Sequence, residues 1–221
     1  MGYDPVGSDL LQLLLNGKRL KLSKRQLATT FGDNTKLNLI KTGYIQRYLI
    51  TKDGSRNIQA FFGPNDIFPL IPVFKNAYKM DVYSGLEQYY FETVNETEIF
   101  WISQETLWEA QGNNPMIFRD LLYHAGLRLN LYTHRLEDIA LKDSYRRVAY
   151  LLAFYSERFF EKTPKGIKIL MPRSQQQIAD MLSLRRETVN RMITRLKKKG
   201  IVYPGSYFIV PDLDRLKSVY L

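Results

Sequence analysis

The chain has 221 residues, 45% hydrophobic, 13% aromatic and 24% charged; this is a globular composition, outside the disordered, collagen-like and disulfide-rich classes. The length suits one large domain or two small ones, and the absence of cysteine excludes disulfides, thiolate zinc sites, cysteine-ligated iron–sulfur clusters and cysteine nucleophiles. The net charge of +10 is unevenly spread: residues 1–140 hold 15 Lys and Arg against 15 Asp and Glu, whereas residues 141–221 hold 17 against 7, an excess that either neutralises phosphates or keeps a face solvated.

At the N-terminus, Leu10-Leu11-Gln12-Leu13-Leu14-Leu15 follows Asp4 and Asp9 rather than basic residues and has no small-residue cleavage site, so it does not read as a signal peptide. The longest uninterrupted apolar run, 148–155, falls far short of the roughly 20 residues that span a membrane. The expected location is the cytoplasm, with no membrane partner.

From about Leu20 to Ile102 the pattern is that of β-structure. Short runs of Ile, Tyr, Phe and Val are punctuated by Gly43, Gly63-Pro64 and Gly85. Residues 44–50 and 57–62 predict a hairpin around Asp53-Gly54, and residues 89–94 and 97–102 predict a second one through Asn95-Glu96. Short strands at this spacing imply a β-roll or jelly-roll barrel over residues 1–112.

At Asn113 the period becomes helical, with Pro115 suited to a first turn. Phe118, Leu122, Ala125, Leu129, Tyr132, Leu136 and Ile139 are spaced alternately four and three apart, the seam of a coiled coil. Such a narrow stripe over 113–143 favours a partner helix and a homodimer, although a wider face that includes Ile117 and Leu121 also suits packing on the same domain. Gly126 weakens the helix slightly.

The third region, 144–221, opens on Asp143-Ser144 as an N-cap, followed by an amphipathic helix over 145–160 with Val148, Leu151, Leu152 and Tyr155 apolar. Residues 167–171 suit a short strand. Ser174 then caps a helix whose third position is Gln177, as in a capping box, with Ile178, Met181 and Leu182 on its inner face. After a turn at Ser183-Leu184, a second helix over 185–199 buries Val189, Ile193 and Leu196, displays Arg186, Glu187, Asn190, Arg191 and Arg195, and stops at Gly200. Two short helices with a tight turn form a helix-turn-helix, and residues 201–203 and 207–210 predict the hairpin of a wing.

Arginine bonds guanine O6 and N7 in a bidentate manner and glutamate accepts from the cytosine amino group, so Arg186, Glu187, Asn190 and Arg191 form a base-reading set. Ser174, Gln175, Arg185, Arg195, Lys197, Lys198 and Lys199 suit phosphate contacts, which position without specifying.

The run 177–191, Gln-Ile-Ala-Asp-Met-Leu-Ser-Leu-Arg-Arg-Glu-Thr-Val-Asn-Arg, resembles the helix-turn-helix of the CRP/FNR family of bacterial transcription regulators. Arg147-Val148-Ala149-Tyr150-Leu151-Leu152 resembles the opening of that family's DNA-binding domain, and the order of parts matches from about Leu20 onward. Arg185 departs from the usual serine. The resemblance implies an α+β protein comprising an N-terminal β-roll like a cyclic-nucleotide-binding jelly roll, a long dimerisation helix and a C-terminal winged helix-turn-helix. It also implies a regulator that is not an enzyme, with double-stranded DNA, a second copy of the chain and RNA polymerase as partners.

The effector half departs further from the family. Gly43-Tyr44-Ile45-Gln46 and the run 62–68 fit its β-roll, but Pro69-Leu70 and Glu87-Gln88 stand where the family holds ribose and phosphate with Gly-Glu and Arg-Ser pairs. A carboxylate at Glu87 would repel a cyclic phosphate, and Arg56, Lys75 and Lys79 lie outside the motif, so cyclic AMP is not the expected effector. An iron–sulfur cluster is excluded without cysteine, and haem would need His124, His134, a methionine or a tyrosine, so no cofactor is expected. The aromatic residues of 78–101 suit either an apolar ligand pocket or a core.

Two other functions compete. A jelly-roll metalloenzyme needs clustered histidines on strands, which the β region lacks. A ligand sensor acting through protein partners would bind nucleic acid only nonspecifically.

Overall fold

The computed structural model describes residues 7–30, 36–70, 89–140 and 143–221. It divides into two compact units, Met1–Asn130 and Leu131–Leu221.

In the first unit two four-stranded antiparallel sheets face each other. One has the order β1 (Lys18–Leu22), β8 (Thr97–Ser103), β3 (Lys36–Thr42), β6 (Ile67–Phe68). The other runs β2 (Leu27–Thr30), β7 (Tyr89–Thr93), β4 (Ile45–Ile50), β5 (Arg56–Phe62). Residues from both sheets, Leu22, Ile40, Ile45, Phe62, Phe68, Phe91 and Ile99, make a common core. The aromatic strand residue Phe91 is therefore core, stacked on Phe68 at 5.3 Å between ring centres.

The expected hairpin of β4 and β5 is present, pairing Ile45 with Phe62 and Ile50 with Arg56. Its turn spans 51–55, where the Asp53 carboxylate accepts from the Thr51 and Ser55 hydroxyls and is thereby held below its ordinary pKa.

The second expected hairpin is not formed. β7 pairs with β2 and β4 in one sheet, while β8 pairs with β1 and β3 in the other. The link through Asn95-Glu96 crosses between sheets beside the β3 to β4 link, which crosses with it. Tyr44 N–H donates to the Asn95 side chain (2.9 Å) and Val94 N–H donates to Tyr44 O (2.8 Å), which holds the two crossings together. Gly43 sits at this corner with φ +89°, and a Cβ there would lie 2.4 Å from Thr97 Oγ1, so only glycine fits.

Three helices complete the first unit. α1 (Ser8–Leu15) buries Leu10 and Leu14, and the buried Asp120 accepts from the Leu10 N–H (3.2 Å). α2 (Gln104–Asn113), capped by Ser103, begins well before the helical period read from the sequence, because few of its residues are buried and its pattern is faint. α3 (Met116–Ala140) starts in this unit and ends in the next. Ile117 and Leu121 pack with Leu10, Leu14, Leu37, Leu39, Ile67, Ile102 and Leu107.

In the second unit, Asp143 caps α4 (Ser144–Arg158) by accepting from Tyr145 N–H. The helix ends earlier than its apolar pattern suggests, and Phe160 instead opens β9 (Phe160–Thr163), which pairs with β10 (Gly166–Ile169). β11 (Phe208–Val210) completes a sheet of order β11, β10, β9. Residues 201–203, expected as a full strand of the wing, contribute a single bridge between Tyr203 and Ile209, because β11 gives its ladder to β10. α5 (Gln175–Leu182), α6 (Arg186–Lys198) and the short α7 (Leu213–Lys217) pack around Val148, Leu152, Ile178, Val189, Ile193 and Leu196, all essentially inaccessible to solvent. No helix among the described residues is long and apolar enough to cross a membrane.

Candidate nucleic-acid interface

The first helix of the pair begins as its sequence dictates. Ser174 Oγ accepts from Gln177 N–H (3.2 Å), while Gln177 Oε1 reaches back to Arg173 N–H (2.8 Å), one residue earlier than an ideal capping box. α5 closes at Ser183, which adopts the left-handed conformation (φ 52°, ψ 44°) and, with Leu184, donates its N–H to Ala179 O. That reversal is the turn of the helix-turn-helix. Arg147 fastens it to α4 by donating from Nη2 to Leu182 O (2.9 Å), a role that sequence reasoning had not given it.

α6 starts at Arg185, which makes no side-chain cap, as its replacement of a serine implies. It stops where Gly200 turns to φ +68° and the N–H groups of Gly200 and Ile201 bond Lys197 O and Leu196 O. Glu187 in its first turn and Arg195, Lys197 and Lys198 in its last complement the helix dipole. Val189, Ile193 and Leu196 are buried. Arg186, Glu187, Asn190 and Arg191 are all exposed on the outer side, so the base-reading set shares one solvent face. Arg191 Nη2 reaches Thr188 Oγ1 at 3.4 Å, one turn back along the helix.

The phosphate candidates divide into groups. Ser174, Arg185, Lys197 and Lys198 are exposed, and Gln175 is half-buried. Arg195 and Lys199 are also exposed, but both lie over the ring of Tyr145, with the guanidinium carbon 4.1 Å and Nζ 5.5 Å from its centre. Burial raises the Tyr145 pKa; Arg195 opposes the rise and Asp143 adds to it.

A second aromatic platform stands on the wing. The Tyr207 ring carries Lys168 Nζ at 4.3 Å and Arg173 at 4.7 Å, and Arg173 also donates to the Tyr207 hydroxyl. Lys168 and Arg173, gathered on the Tyr207 ring, thus add positive charge beside the start of α5. Their only trace in the sequence is its overall charge, since residues 34 to 39 positions apart meet through the sheet.

On α3, a buried side and an exposed apolar stripe run next to each other. Ile117, Leu121, His124 and Arg128 are buried along one side. About a quarter turn around the helix, Phe118, Leu122, Leu129 and Leu136 form an exposed stripe, 68% accessible at the last two. Ala125 and Tyr132 on the same stripe are half-buried; Ile139 and His134 lie outside the described side chains. In the β-roll Pro69 is buried and Leu70 packs against the α1 and α3 cluster, while 71–88, including Lys75, Lys79, Gly85, Glu87 and Gln88, lie outside the described residues.

Comparison with known proteins identifies the architecture. Residues 146–219 match the model of the Crp-like helix-turn-helix domain. The CRP-like cAMP-activated global transcriptional regulator of Mycobacterium tuberculosis is 24% identical over 182 residues, covering 82% of this chain and 78% of that protein. The fumarate and nitrate reduction regulatory protein of Escherichia coli is 23% identical over 96% of this chain and 81% of its own length. A CooA variant from Carboxydothermus hydrogenoformans shares the fold, with a TM-score of 0.73 at 21% identity over 95% of this chain and 90% of that one. A β-roll, a long helix with an exposed apolar stripe and a Crp-like helix-turn-helix follow one another in this chain, which over most of its length is similar to transcription regulators of the CRP/FNR type.

Proposed function

We propose that the chain acts as a homodimer that reads a palindromic DNA site through α6, independently of cyclic AMP. The observation that carries this is the division of α6 into a fully buried apolar side and an outer side holding Arg186, Glu187, Asn190 and Arg191. Arg186, Arg191, Glu187 and Asn190 address base edges. Ser174, Gln175, Arg185, Lys197 and Lys198 hold the backbone. The exposed stripe of α3 is the surface for the second copy, which leaves the recognition helices related by a two-fold axis and their half-sites about one helical turn, 34 Å, apart. RNA polymerase is the proposed further partner of the DNA-bound dimer.

The effector pocket of the cAMP-activated relative does not carry over. Leu70, packed into an apolar cluster, offers no carboxylate to a ribose, and the sequence has an acidic residue, Glu87, where the resemblance implies an arginine for the phosphate. The dimer therefore needs no cyclic nucleotide, and neither haem nor an iron–sulfur cluster is required.

Selection from a random duplex library tests this reading directly. The expected outcome is a two-fold symmetric site preferred at least about 10³-fold over random DNA. Equal affinity for all duplexes would instead favour a sensor with nonspecific nucleic-acid binding. In the same preparation, Leu129→Glu with Leu136→Glu should convert a sedimenting dimer to a monomer and abolish tight binding. Cyclic AMP and cyclic GMP should change neither the melting temperature nor the affinity.

A further inference from the structure

α6 presents its base-reading residues correctly only if its rotation and tilt on α4 are fixed; the buried Val189, Ile193 and Leu196 turn one side of the helix inward, and a polar contact adds to them. The polar contact between these helices lies at the first turn of α4. There Tyr145 is buried, 5% accessible, and its ring receives two cations one turn apart, Arg195 of α6 and Lys199 at its C-cap. Arg195 lies 4.1 Å from the ring centre and Lys199 lies 5.5 Å from it. The attraction of a cation to a ring face depends on orientation, so two of them on one ring resist both rolling and sliding of the helix.

The other end of the seat is also tied down. Arg215 of α7 donates to Lys199 O at 3.0 Å, and Asp143 accepts from the Tyr145 N–H. The Tyr145 hydroxyl has no hydrogen-bond partner among the described residues. It is therefore the ring, not the hydroxyl, that does the work.

We propose that Tyr145 is a positioning residue for DNA recognition, its ring seating Arg195 and Lys199 so that these two cations orient α6 on α4 rather than bind phosphate. This deepens the reading of α6 as the recognition helix and rests on it. Charge alone places Arg195 and Lys199 with Lys197 and Lys198; geometry separates the two pairs. A cation committed to the ring releases no counterions from DNA, whereas each phosphate contact contributes about 0.9 to the slope of log K against log salt.

The test uses the full chain with the selected duplex and a random-sequence duplex across a salt series. Lys197→Ala and Lys198→Ala should each lower the slope by about one unit and leave the preference for the selected site unchanged. Arg195→Ala and Tyr145→Leu should leave the slope unchanged and lower that preference about 5- to 30-fold, while Tyr145→Phe, which keeps the ring, should behave as the parent. A slope reduced by about one unit in Arg195→Ala, with preference intact, would overturn the proposal. Nuclear magnetic resonance without DNA provides an independent readout: the Arg195 side-chain protons should be shifted upfield by the ring in the parent and in Tyr145→Phe, and not in Tyr145→Leu. Their absence from the shifted range in the parent would also overturn it. A parent chain that prefers no duplex would instead overturn the DNA-reading function, and the positioning role with it.

Discussion

The two units of this chain handle charge in opposite ways. The first, Met1–Asn130, is close to neutral, with 14 Lys and Arg against 13 Asp and Glu, yet it buries Asp66, Glu92, Asp120 and Arg128. The second, Leu131–Leu221, carries 18 Lys and Arg against 9 Asp and Glu, yet among the described residues it buries no charged side chain. In the first unit each buried carboxylate has a cationic partner, Asp66 the buried Arg128 and Glu92 and Asp120 the more exposed Arg56 and Arg119; in the second the charges are kept outside, where a polyanion can reach them. Net charge alone would have suggested the reverse distribution of electrostatic importance.

The strongest way to break this contrast is to compare two arginines. Arg128 Nη2 meets the inaccessible Asp66 at 3.1 Å and donates to Ile67 O, with its guanidinium 4.3 Å from the centre of the Phe62 ring. The other Asp66 oxygen accepts from Gly63 N–H (2.8 Å), so the pair joins α3 to the turn between β5 and β6. Arg128→Ala strands a buried carboxylate and should cost about 3 to 5 kcal/mol of stability in denaturant titration, whereas the double replacement Asp66→Leu with Arg128→Met should recover most of it. Arg186→Ala should change stability by less than about 0.5 kcal/mol. Equal losses at the two positions would erase the distinction.

DNA binding should show the opposite ranking. Replacing Arg191 by Ala should cost about 1 to 3 kcal/mol on the selected site and relax preference chiefly at one guanine. Arg186 and Arg191 are about 140° apart around the helix and so should govern different base pairs. Affinities for single-base variants of the selected site decide this; a uniform loss across all variants would mean that the helix grips the backbone instead of reading bases.

The same contrast explains what the sequence made legible. The second unit obeys local rules: Ser174 caps, Gly200 stops a helix, and a strong 3.6-residue period separates Val189, Ile193 and Leu196 from the outer arginines. Local signals therefore located the helix pair and its surface residues. The first unit depends on pairing between distant segments. Asn95-Glu96 has the composition of a hairpin turn, but the joint crossing with Gly43-Tyr44 sends β7 and β8 to different sheets, and no local pattern encodes that partnership. The seats of Arg195 on Tyr145 and of Arg173 on Tyr207 were hidden for the same reason, as their partners lie 50 and 34 positions away. In α3, one apolar pattern covers both a buried side and an exposed stripe, and only burial tells the residues of each apart.

Capping offers a sharper, smaller test within the second unit. Ser174→Ala removes the acceptor for Gln177 N–H and should lower stability by about 1 kcal/mol, measurable by thermal unfolding. Ser174→Asp should retain the cap but place a negative charge where a phosphate is proposed to lie. Stability near that of the parent combined with weaker binding on every duplex would separate the structural role of this side chain from its proposed place beside DNA. Binding unaffected by the aspartate would remove Ser174 from the phosphate set.

The smallest effect expected is at alkaline pH, where a tyrosine from each unit should report its surroundings. Burial raises the pKa of both Tyr48 and Tyr145 above the ordinary 10.0, but Glu92 raises Tyr48 further through its charge, whereas Arg195 opposes the rise at Tyr145. A tyrosine with a raised folded-state pKa holds its proton more tightly when folded. Its contribution is constant below about pH 10 and is lost as pH rises through the folded values, because the unfolded chain deprotonates first. Tyr48→Phe and Tyr145→Phe should therefore each flatten the fall in stability above pH 10. Near neutral pH they should differ: Tyr48 loses its 3.3 Å bond to Glu92, at a cost of about 1 kcal/mol, whereas Tyr145 loses no hydrogen bond among the described residues. Denaturant titrations of both variants at pH 7 and at several values above pH 10 check the sign and the difference. A parent whose stability rises above pH 10, or a Tyr145→Phe variant destabilised at pH 7 as much as Tyr48→Phe, would show that the two tyrosines do not divide along the line between internally matched and outwardly directed charge.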